Sequence, residues 1–171
     1  MEYRFRKARH EEQEQIWSIL QAAITRRKED GSKQWQDGYP NPEVVSRDIE
    51  KGAGYVLIEG AAVVGYSAVI INDEPEYSRI EGKWLTEGDF VVIHRVAVAE
   101  GHLGKGLAKK IFEFVEQFAL ANNVFSIKVD TNFDNPAMIS ILEKIGYVYC
   151  GEVYFRGNAR RAYEKVLKKT P

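Results

Sequence analysis

The amino-acid sequence predicts a single α/β domain in which helices cover the faces of a mixed sheet. Its 171 residues are enough for one domain with a proper core. Strand-like and helix-like patterns follow one another in the order βααβββαβαββ, which corresponds to about seven strands and four helices. An apolar run from Val91 to Val98 stops at a glycine-rich turn, and a helical pattern starts at once. These observations predict one domain over residues 1–171.

Five elements are predicted in the first half of the chain. Polarity alternates in the first strand, and the next segment carries apolar residues at helical spacing. Pro42 suits the first position of a short helix. The elements are a strand at 3–7, a helix from Glu11 to about Lys28, a helix from Pro42 to about Gly52, and strands at 55–58 and 62–71. Long connections are expected at 31–41 and 73–88.

Six elements are predicted in the second half. After the glycine-rich turn, apolar residues share one helix face and charged residues share the other. The elements are a strand at 91–98, a helix from Leu107, a strand around 125–129, a helix at 136–145, and a closing hairpin with strands at 147–155 and 161–167.

Composition excludes several classes of protein. The formal net charge is −1, which predicts no binding to nucleic acid or to an anionic membrane. The longest apolar stretch, residues 61–71, is too short to cross a bilayer, and the first residues lack the apolar segment of a secretion signal. Cys150 is the single cysteine, so we expect a small core residue rather than a metal ligand or nucleophile. A cytoplasmic protein without metal is expected, as a monomer or a homodimer.

The glycine-rich turn predicts a function. A turn of this kind between a strand and a helix directs backbone N–H groups at one spot, where the helix N-terminus adds partial positive charge. A Walker A loop would need Lys after its last glycine, but Leu107 follows Gly106. A dinucleotide fingerprint would need a third glycine where Lys109 stands. The turn therefore predicts a phosphate site of another kind, with an ordinary strand–helix connection as the alternative.

Three segments, taken in order, resemble the GCN5-related N-acetyltransferase (GNAT) family. They are the strand end Val96-Ala97-Val98, the loop Gly104-Lys105-Gly106-Leu107-Ala108, and the stretch from Asn135-Pro136-Ala137-Met138 to Glu143-Lys144-Ile145-Gly146-Tyr147. The last is similar to the family's Asn near a helix start and Glu-Lys-x-Gly-aromatic at its end. The resemblance covers roughly residues 90–165.

The resemblance implies a fold and a cofactor. The fold would be the acyl-CoA N-acyltransferase fold, a mixed and mostly antiparallel sheet of about seven strands with four helices. Its sheet would splay between the fourth and fifth strands, with acetyl-CoA in the gap. Strand backbone would pair with the pantetheine arm, and loop amides would hold the pyrophosphate. The implied cofactor-binding residues are Val96, Ala97, Val98, Leu103, Gly104, Lys105, Gly106, Leu107, Ala108 and Asn135, although Asn135 is equally suited to be a helix N-cap.

The sequence departs from the family at two positions. Leu103 stands where Gln or Arg is usual, and binding should survive because the amides do most of the phosphate work. Leu142 stands where many members have a Tyr proposed to protonate the leaving thiolate. Tyr147, Tyr149 and Tyr154 are replacements by proximity in sequence alone, and a thiol is a good enough leaving group to need no dedicated acid.

His94 is the predicted catalytic base. Acetyl transfer to an amine requires that a proton be taken from the ammonium form. His94 lies four residues before Val98, so its side chain would share a face with Val96 if no bulge intervenes. The arylalkylamine N-acetyltransferases resemble this, with a catalytic His at the matching offset. A backbone N–H near Val96 would then hold the oxyanion. The alternative is that His94 simply fills a strand position.

Three aromatic residues in the long connections are the predicted acceptor site. Trp35, Tyr39 and Trp84 lie where the family usually grips its acceptor, and their rings suit an apolar or cationic amine. The sequence thus predicts an N-acetyltransferase that moves the acetyl group of acetyl-CoA directly to a small-molecule primary amine. The alternatives are a protein N-terminal or lysine acetyltransferase, and a non-catalytic CoA-binding regulatory domain.

Overall fold

The computed structural model describes residues 2–169, and these form two compact units. The first unit contains the residues up to Val69 together with His94–Phe114. The second contains Ile70–Ile93 together with the residues from Val115 onward.

The strands are β1 (Tyr3–Lys7), β2 (Gly54–Glu59), β3 (Ala62–Ile71), β4 (Glu81–Gly82), β5 (Val91–Val98), β6 (Ser126–Thr131), β7 (Val148–Phe155) and β8 (Asn158–Val166). The α-helices are α1 (Gln13–Glu29), α2 (Pro42–Glu50), α3 (Leu107–Ala121) and α4 (Pro136–Lys144). Single turns of 3-10 helix occur at His10–Glu12, Pro75–Arg79 and Glu100–His102.

The strands form one eight-stranded sheet with the order β1-β2-β3-β5-β6-β8-β7-β4. The pairs β1–β2, β2–β3, β6–β8, β7–β8 and β4–β7 are antiparallel. β5 and β6 are parallel, with Val91–Ile93 paired to Ile127–Val129, and β5 then continues to Val98. The predicted fold class, a mixed and mostly antiparallel sheet with four helices, is confirmed.

The eighth strand is the two-residue β4, which lies inside the connection expected at 73–88. Gly82 pairs with Gly151 on β7 at a very close approach. A Cβ on Gly82 would lie 2.2 Å from the carbonyl oxygen of Cys150, so a side chain cannot fit there. Two residues of pairing carry no periodicity, and for this reason the sequence pattern does not reveal β4.

The core of the first unit lies between α1, α2 and strands β2, β3 and β5. The helical stripe that predicted α1 is buried in it, with Ile16, Leu20 and Ala23 all at 0% exposure. α2 begins where the sequence predicts, because Pro42 occupies its first turn and the Asn41 side chain accepts a 3.0 Å hydrogen bond from the Val44 amide.

The second unit has its own core on β5, β7 and β8. Tyr77, Val92, Val153 and Ala162 are buried there, with Trp84 among the residues packed against them. β7 and β8 are joined by a two-residue turn in which Arg156 and Gly157 have φ values of 50° and 77°. The turn is tighter than expected, so β8 begins at Asn158 rather than at residue 161.

Candidate active site

The glycine-rich turn has an open concave face lined by backbone amides. Gly104 and Gly106 have φ values of 76° and 72°, and a Cβ on either would meet no atom within 4 Å. Across residues 2–169, the backbone amides from Gly104 to Lys109 have no backbone acceptor, as expected for the first turn of a helix. The amides of Gly104 to Gly106 lead into the 15-residue helix α3, and those of Leu107 to Lys109 belong to its first turn, so the helix dipole favours an anion at this end. The turn therefore fits a pyrophosphate group.

The end of β5 directs backbone groups toward the edge that β3 does not occupy. The Ala99 amide donates a 2.9 Å hydrogen bond to the carbonyl oxygen of Val64 on β3. Successive residues of a strand point their backbone groups to alternate sides, so those of Val96 and Val98 face the other edge. The carbonyl oxygen of Val98 accepts a hydrogen bond of 3.2 Å from Arg26 on α1. Val96 thus offers an N–H and a C=O at an edge that suits the amides of a pantetheine arm.

The extended geometry of β5 is interrupted at Arg95, between the predicted base and the predicted oxyanion donor, and we call this interruption the β5 bulge. Arg95 has a φ of 57°, in the left-handed region, inside an otherwise extended strand. The alternation that would put His94 and Val96 on one face is broken at this residue. The prediction that these two side chains share a face required a strand without a bulge, and the backbone of Arg95 does not meet that condition. The half-buried His94 keeps its place on β5, where its carbonyl oxygen accepts a 3.2 Å hydrogen bond from the Ser67 hydroxyl.

Arg95 belongs to a buried polar cluster. Its Nε and Nη2 donate to the two carboxylate oxygens of Asp48 on α2, at 2.9 and 2.6 Å. Its Nη1 donates to the hydroxyl of Tyr39. The Tyr66 hydroxyl donates a 2.6 Å hydrogen bond to Asp48. Burial, and then the Asp48 carboxylate, raise the pKa of Tyr66 well above its usual value, so this hydroxyl remains protonated. The sequence analysis missed Arg95 and Asp48, since an isolated Arg and Asp carry no motif.

The predicted acceptor-binding aromatics are engaged within the protein. Trp35 is buried at 6% exposure, and the Arg27 guanidinium lies 3.9 Å from the centre of its ring. Tyr39 accepts the Arg95 hydrogen bond, which places it in the cluster beside β5. Trp84 belongs to the second unit, where its Nε1 donates a 2.8 Å hydrogen bond to the Tyr77 carbonyl. Their substrate-binding role stays a prediction.

The residues of the third family segment lie in the second unit. Asn135 is the N-cap of α4, and its side chain accepts a 3.3 Å hydrogen bond from the Met138 amide. Leu142 is fully buried. Burial raises the pKa of Tyr147 far above its ordinary value, and hydrogen bonding to Glu81 raises that of Tyr154 to about 12. Tyr154 is therefore a weaker acid than an ordinary tyrosine. Tyr149 is an exposed residue whose ring lies against Arg161.

The first unit contains a cavity of about 400 Å³ at the start of α1. It is lined by His10, Glu11, Gln13, Glu14, Trp17 and Pro42. Pro42 begins α2, the helix that also carries Asp48 of the Arg95 cluster. Sequence reasoning passed over Trp17 because it lies within the helical stripe that predicted a core face.

Two absences hold within residues 2–169. No group of three or more His, Cys, Asp or Glu side chains is placed to hold a metal ion. No helix in this part of the chain is both long and apolar enough to cross a membrane.

The eight-stranded sheet, the amide-lined turn before α3 and the edge of β5 beyond its pairing with β6 define a transferase that uses an acyl-CoA donor. A family model described as Acetyltransferase (GNAT) family matches residues 14–147. The chain therefore belongs to the GNAT family of acetyltransferases. This confirms the predicted family and the prediction of an acetyl-CoA-dependent acetyltransferase.

Similar proteins agree with this assignment. The uncharacterized N-acetyltransferase YesJ of Bacillus subtilis is 26% identical over 149 residues, covering 83% of this chain and 79% of YesJ. Streptothricin acetyltransferase of Escherichia coli is 29% identical over 66 residues, which cover 39% of this chain and 38% of that enzyme.

Solved structures share the fold over nearly the whole chain. A GNAT family acetyltransferase from Streptococcus agalactiae is 36% identical and superposes with a TM-score of 0.88, covering 98% of this chain and 96% of that one. The acetyltransferase yncA of Salmonella typhimurium, solved with its cofactor acetyl-CoA, is 16% identical with a TM-score of 0.70, covering 100% and 97%. The second likeness is one of fold alone.

Proposed function

We propose that this enzyme transfers the acetyl group of acetyl-CoA directly to the primary amine of a small molecule. The observation that carries the proposal is the continuous stretch from Val96 to Lys109, which offers strand-edge backbone groups and then a run of amides without backbone acceptors in residues 2–169. One stretch of chain can thus take both the pantetheine arm and the pyrophosphate.

The cofactor would be held mainly by backbone. The amides of Gly104 to Ala108 would take the pyrophosphate, and Leu103, at 45% exposure, would leave the approach to them open. Val96 and Val98 would pair with the pantetheine arm. Acetyl-CoA supplies a thioester whose carbonyl carbon is open to attack by an amine.

The residues of β5 would serve the reaction itself. His94 would take the proton that the amine must lose before it can attack. The Val96 N–H would stabilise the oxyanion that forms on the thioester oxygen. Direct transfer is favoured over an acetylated cysteine because Cys150 is buried, and burial raises the pKa of its thiol.

No side chain is assigned as the general acid. Leu142 offers no proton, and the raised pKa values of Tyr147 and Tyr154 make both poor proton donors. The CoA thiol is a good leaving group, with an ordinary thiol pKa of about 8.5. We therefore propose that the thiolate departs without a dedicated acid.

The acceptor is proposed to be a small cation rather than a protein segment. The cavity at the start of α1 combines the carboxylates of Glu11 and Glu14 with the Trp17 ring, and these attract an organic ammonium group. Its volume of about 400 Å³ falls in the range of small-molecule pockets. The partial likeness to streptothricin acetyltransferase also supports a small-molecule acceptor.

The test of the cofactor site is acetyl-CoA binding measured by calorimetry on Gly106→Glu. The new carboxylate would face the pyrophosphate, so we expect binding to be lost. Gly60→Glu is the matched control, since Gly60 also has a positive φ, 61°, and open space beside it, but lies in the β2–β3 turn. Unchanged affinity in Gly106→Glu would overturn the proposed site.

The test of the reaction is thiol release from acetyl-CoA with arylalkylamines, polyamines, amino acids and short peptides. Release with a small amine would support the proposal, and release with peptides alone would replace it with protein acetylation. Binding of acetyl-CoA without release across the panel would favour a regulatory CoA-binding domain. With an active amine, His94→Gln should lower kcat most at low pH, where the amine is most protonated.

A further inference from the structure

The bulge at Arg95 needs a physical cause. A left-handed conformation costs free energy for any residue with a Cβ, and an Arg has no local side-chain hydrogen bond that favours it. Such a residue persists only where its surroundings hold it. Residue 95 separates His94 from Val96, the two residues that the proposed function assigns to proton removal and oxyanion binding.

The Arg95 side chain is held from two directions. Asp48 receives two of its N–H groups in a fork, and both side chains are buried, at 9% and 7% exposure. Tyr39, in the loop before α2, receives a third N–H. Asp48 is itself fixed, because the Tyr66 hydroxyl donates to its carboxylate and the Ala53 amide donates a 2.8 Å hydrogen bond to its backbone carbonyl.

These contacts bind each nitrogen of the Arg95 guanidinium to a group of the protein. Nε, Nη1 and Nη2 all have acceptors within the cluster, so Arg95 is not arranged to grip a substrate carboxylate or phosphate. Its effect on the reaction must pass through the backbone of β5.

We propose that Arg95 is a positioning residue whose Asp48–Tyr39 clamp holds the β5 bulge and thereby aims the Val96 main chain at the thioester. The proposal rests on the proposed function, which gives Val96 its role. It also links β5 to α2 through Asp48 and to the loop before α2 through Tyr39.

The test compares Arg95→Lys with Arg160→Lys. Lysine keeps the charge but cannot donate the fork. Arg160 also pairs with a buried aspartate, Asp130, but lies on β8 and sets no bulge. For each variant we would measure acetyl-CoA affinity by calorimetry, kcat with the most active amine of the panel, and the Val96 amide resonance in protein labelled with ¹⁵N-valine.

Arg95→Lys is expected to shift the Val96 resonance and to lower kcat about tenfold or more, while acetyl-CoA affinity changes by less than about twofold. Arg160→Lys should leave acetyl-CoA affinity and kcat within about twofold of the wild-type values and the Val96 resonance unshifted. An unshifted Val96 resonance or an unchanged kcat in Arg95→Lys would overturn the proposal, as would an equal loss of kcat in both variants.

A second variant covers the case in which Arg95→Lys does not fold. Tyr39→Phe removes one contact and leaves the fork to Asp48, so we expect the same Val96 shift with a smaller fall in kcat, about threefold. No shift in Tyr39→Phe would then overturn the proposal. Failure of the proposed function has a different signature, since it shows in the wild-type protein as absent acetyl-CoA binding or absent turnover, while the Val96 resonance still reports on the clamp.

Discussion

Each unit contains a buried tyrosine that donates a 2.6 Å hydrogen bond to an aspartate, and in each the aspartate also pairs with an arginine. In the first unit these residues are Tyr66, Asp48 and Arg95. The arginine makes a two-point fork, and its backbone has a φ of 57°. The tight fork therefore accompanies a strand that leaves regular geometry.

The second unit pairs Tyr77 with Asp130 and Arg160, with a looser arginine contact. Arg160 Nε lies 3.1 Å from Asp130, but its N–H is not aligned as a hydrogen bond. Arg160 also stays in register on β8, opposite Val153. The same three residue types thus form two clusters with different effects. The first holds an irregular strand beside the proposed reaction site, and the second connects Tyr77 to a regular part of the sheet.

The largest expected effect breaks the comparison at its aspartates. Asp48→Ala would leave Arg95 buried without a counter-charge, and we expect a loss of about 3–5 kcal/mol in the free energy of unfolding. Asp130→Ala should cost less, about 2 kcal/mol, since Arg160 makes one poorly aligned contact and is slightly more exposed. Urea unfolding measures both. Equal losses in the two variants would show that the two-point hydrogen bonding of Arg95 adds no stability to the cluster of the first unit.

The tyrosines should respond alike. Tyr66→Phe and Tyr77→Phe each remove a buried hydroxyl that donates to a carboxylate at 2.6 Å. Each should lower the free energy of unfolding by about 1.5–3 kcal/mol, the range for hydrogen bonds to charged groups. Thermal or urea unfolding of both variants tests whether the two clusters differ at the arginine alone. A gap between them larger than that range would place part of the difference at the tyrosine.

Two features of the first unit could be predicted from sequence because their causes are local. The amide-lined turn was predictable because Gly104 and Gly106 follow an apolar strand and precede a helical stripe, all within about 20 residues. The start of α2 was predictable from Pro42 for the same reason, since a proline in the first turn of a helix acts locally.

The bulge was not predictable, because its cause is not local. Arg is not a residue that favours a positive φ, and the groups that hold Arg95 come from Asp48 and Tyr39, 47 and 56 positions away. β4 escaped prediction in the same way, since its pairing depends on Gly82 meeting Gly151 across the sheet. The burial of Trp35 depends on the first-unit core and on Arg27, which the polar character of its loop does not reveal.

The smallest expected effect comes from a second forked arginine, Arg6, which lies nearer to solvent than Arg95. Arg6 donates to both oxygens of Glu12 at 3.0 and 2.7 Å, but its side chain is 29% exposed. Glu12→Gln should therefore cost only about 0.5–1 kcal/mol at neutral pH. The Arg6 hydrogen bonds lower the pKa of Glu12 below its ordinary value of 4.5, so the folded state holds this proton less tightly than the unfolded chain.

The sign of the pH effect follows from that shift. The stabilisation by the ionised Glu12 is fully present above about pH 4.5, and it is lost as the pH falls through the lower pKa of the folded state. The difference in unfolding free energy between wild type and Glu12→Gln should accordingly shrink below pH 4.5, which urea unfolding at a series of pH values measures. A difference that persists to low pH would mean that Glu12 acts through the shape of the first turn rather than through its charge. In that case a forked geometry would not by itself show that the charges stabilise the fold, and the same would hold for the fork between Arg95 and Asp48.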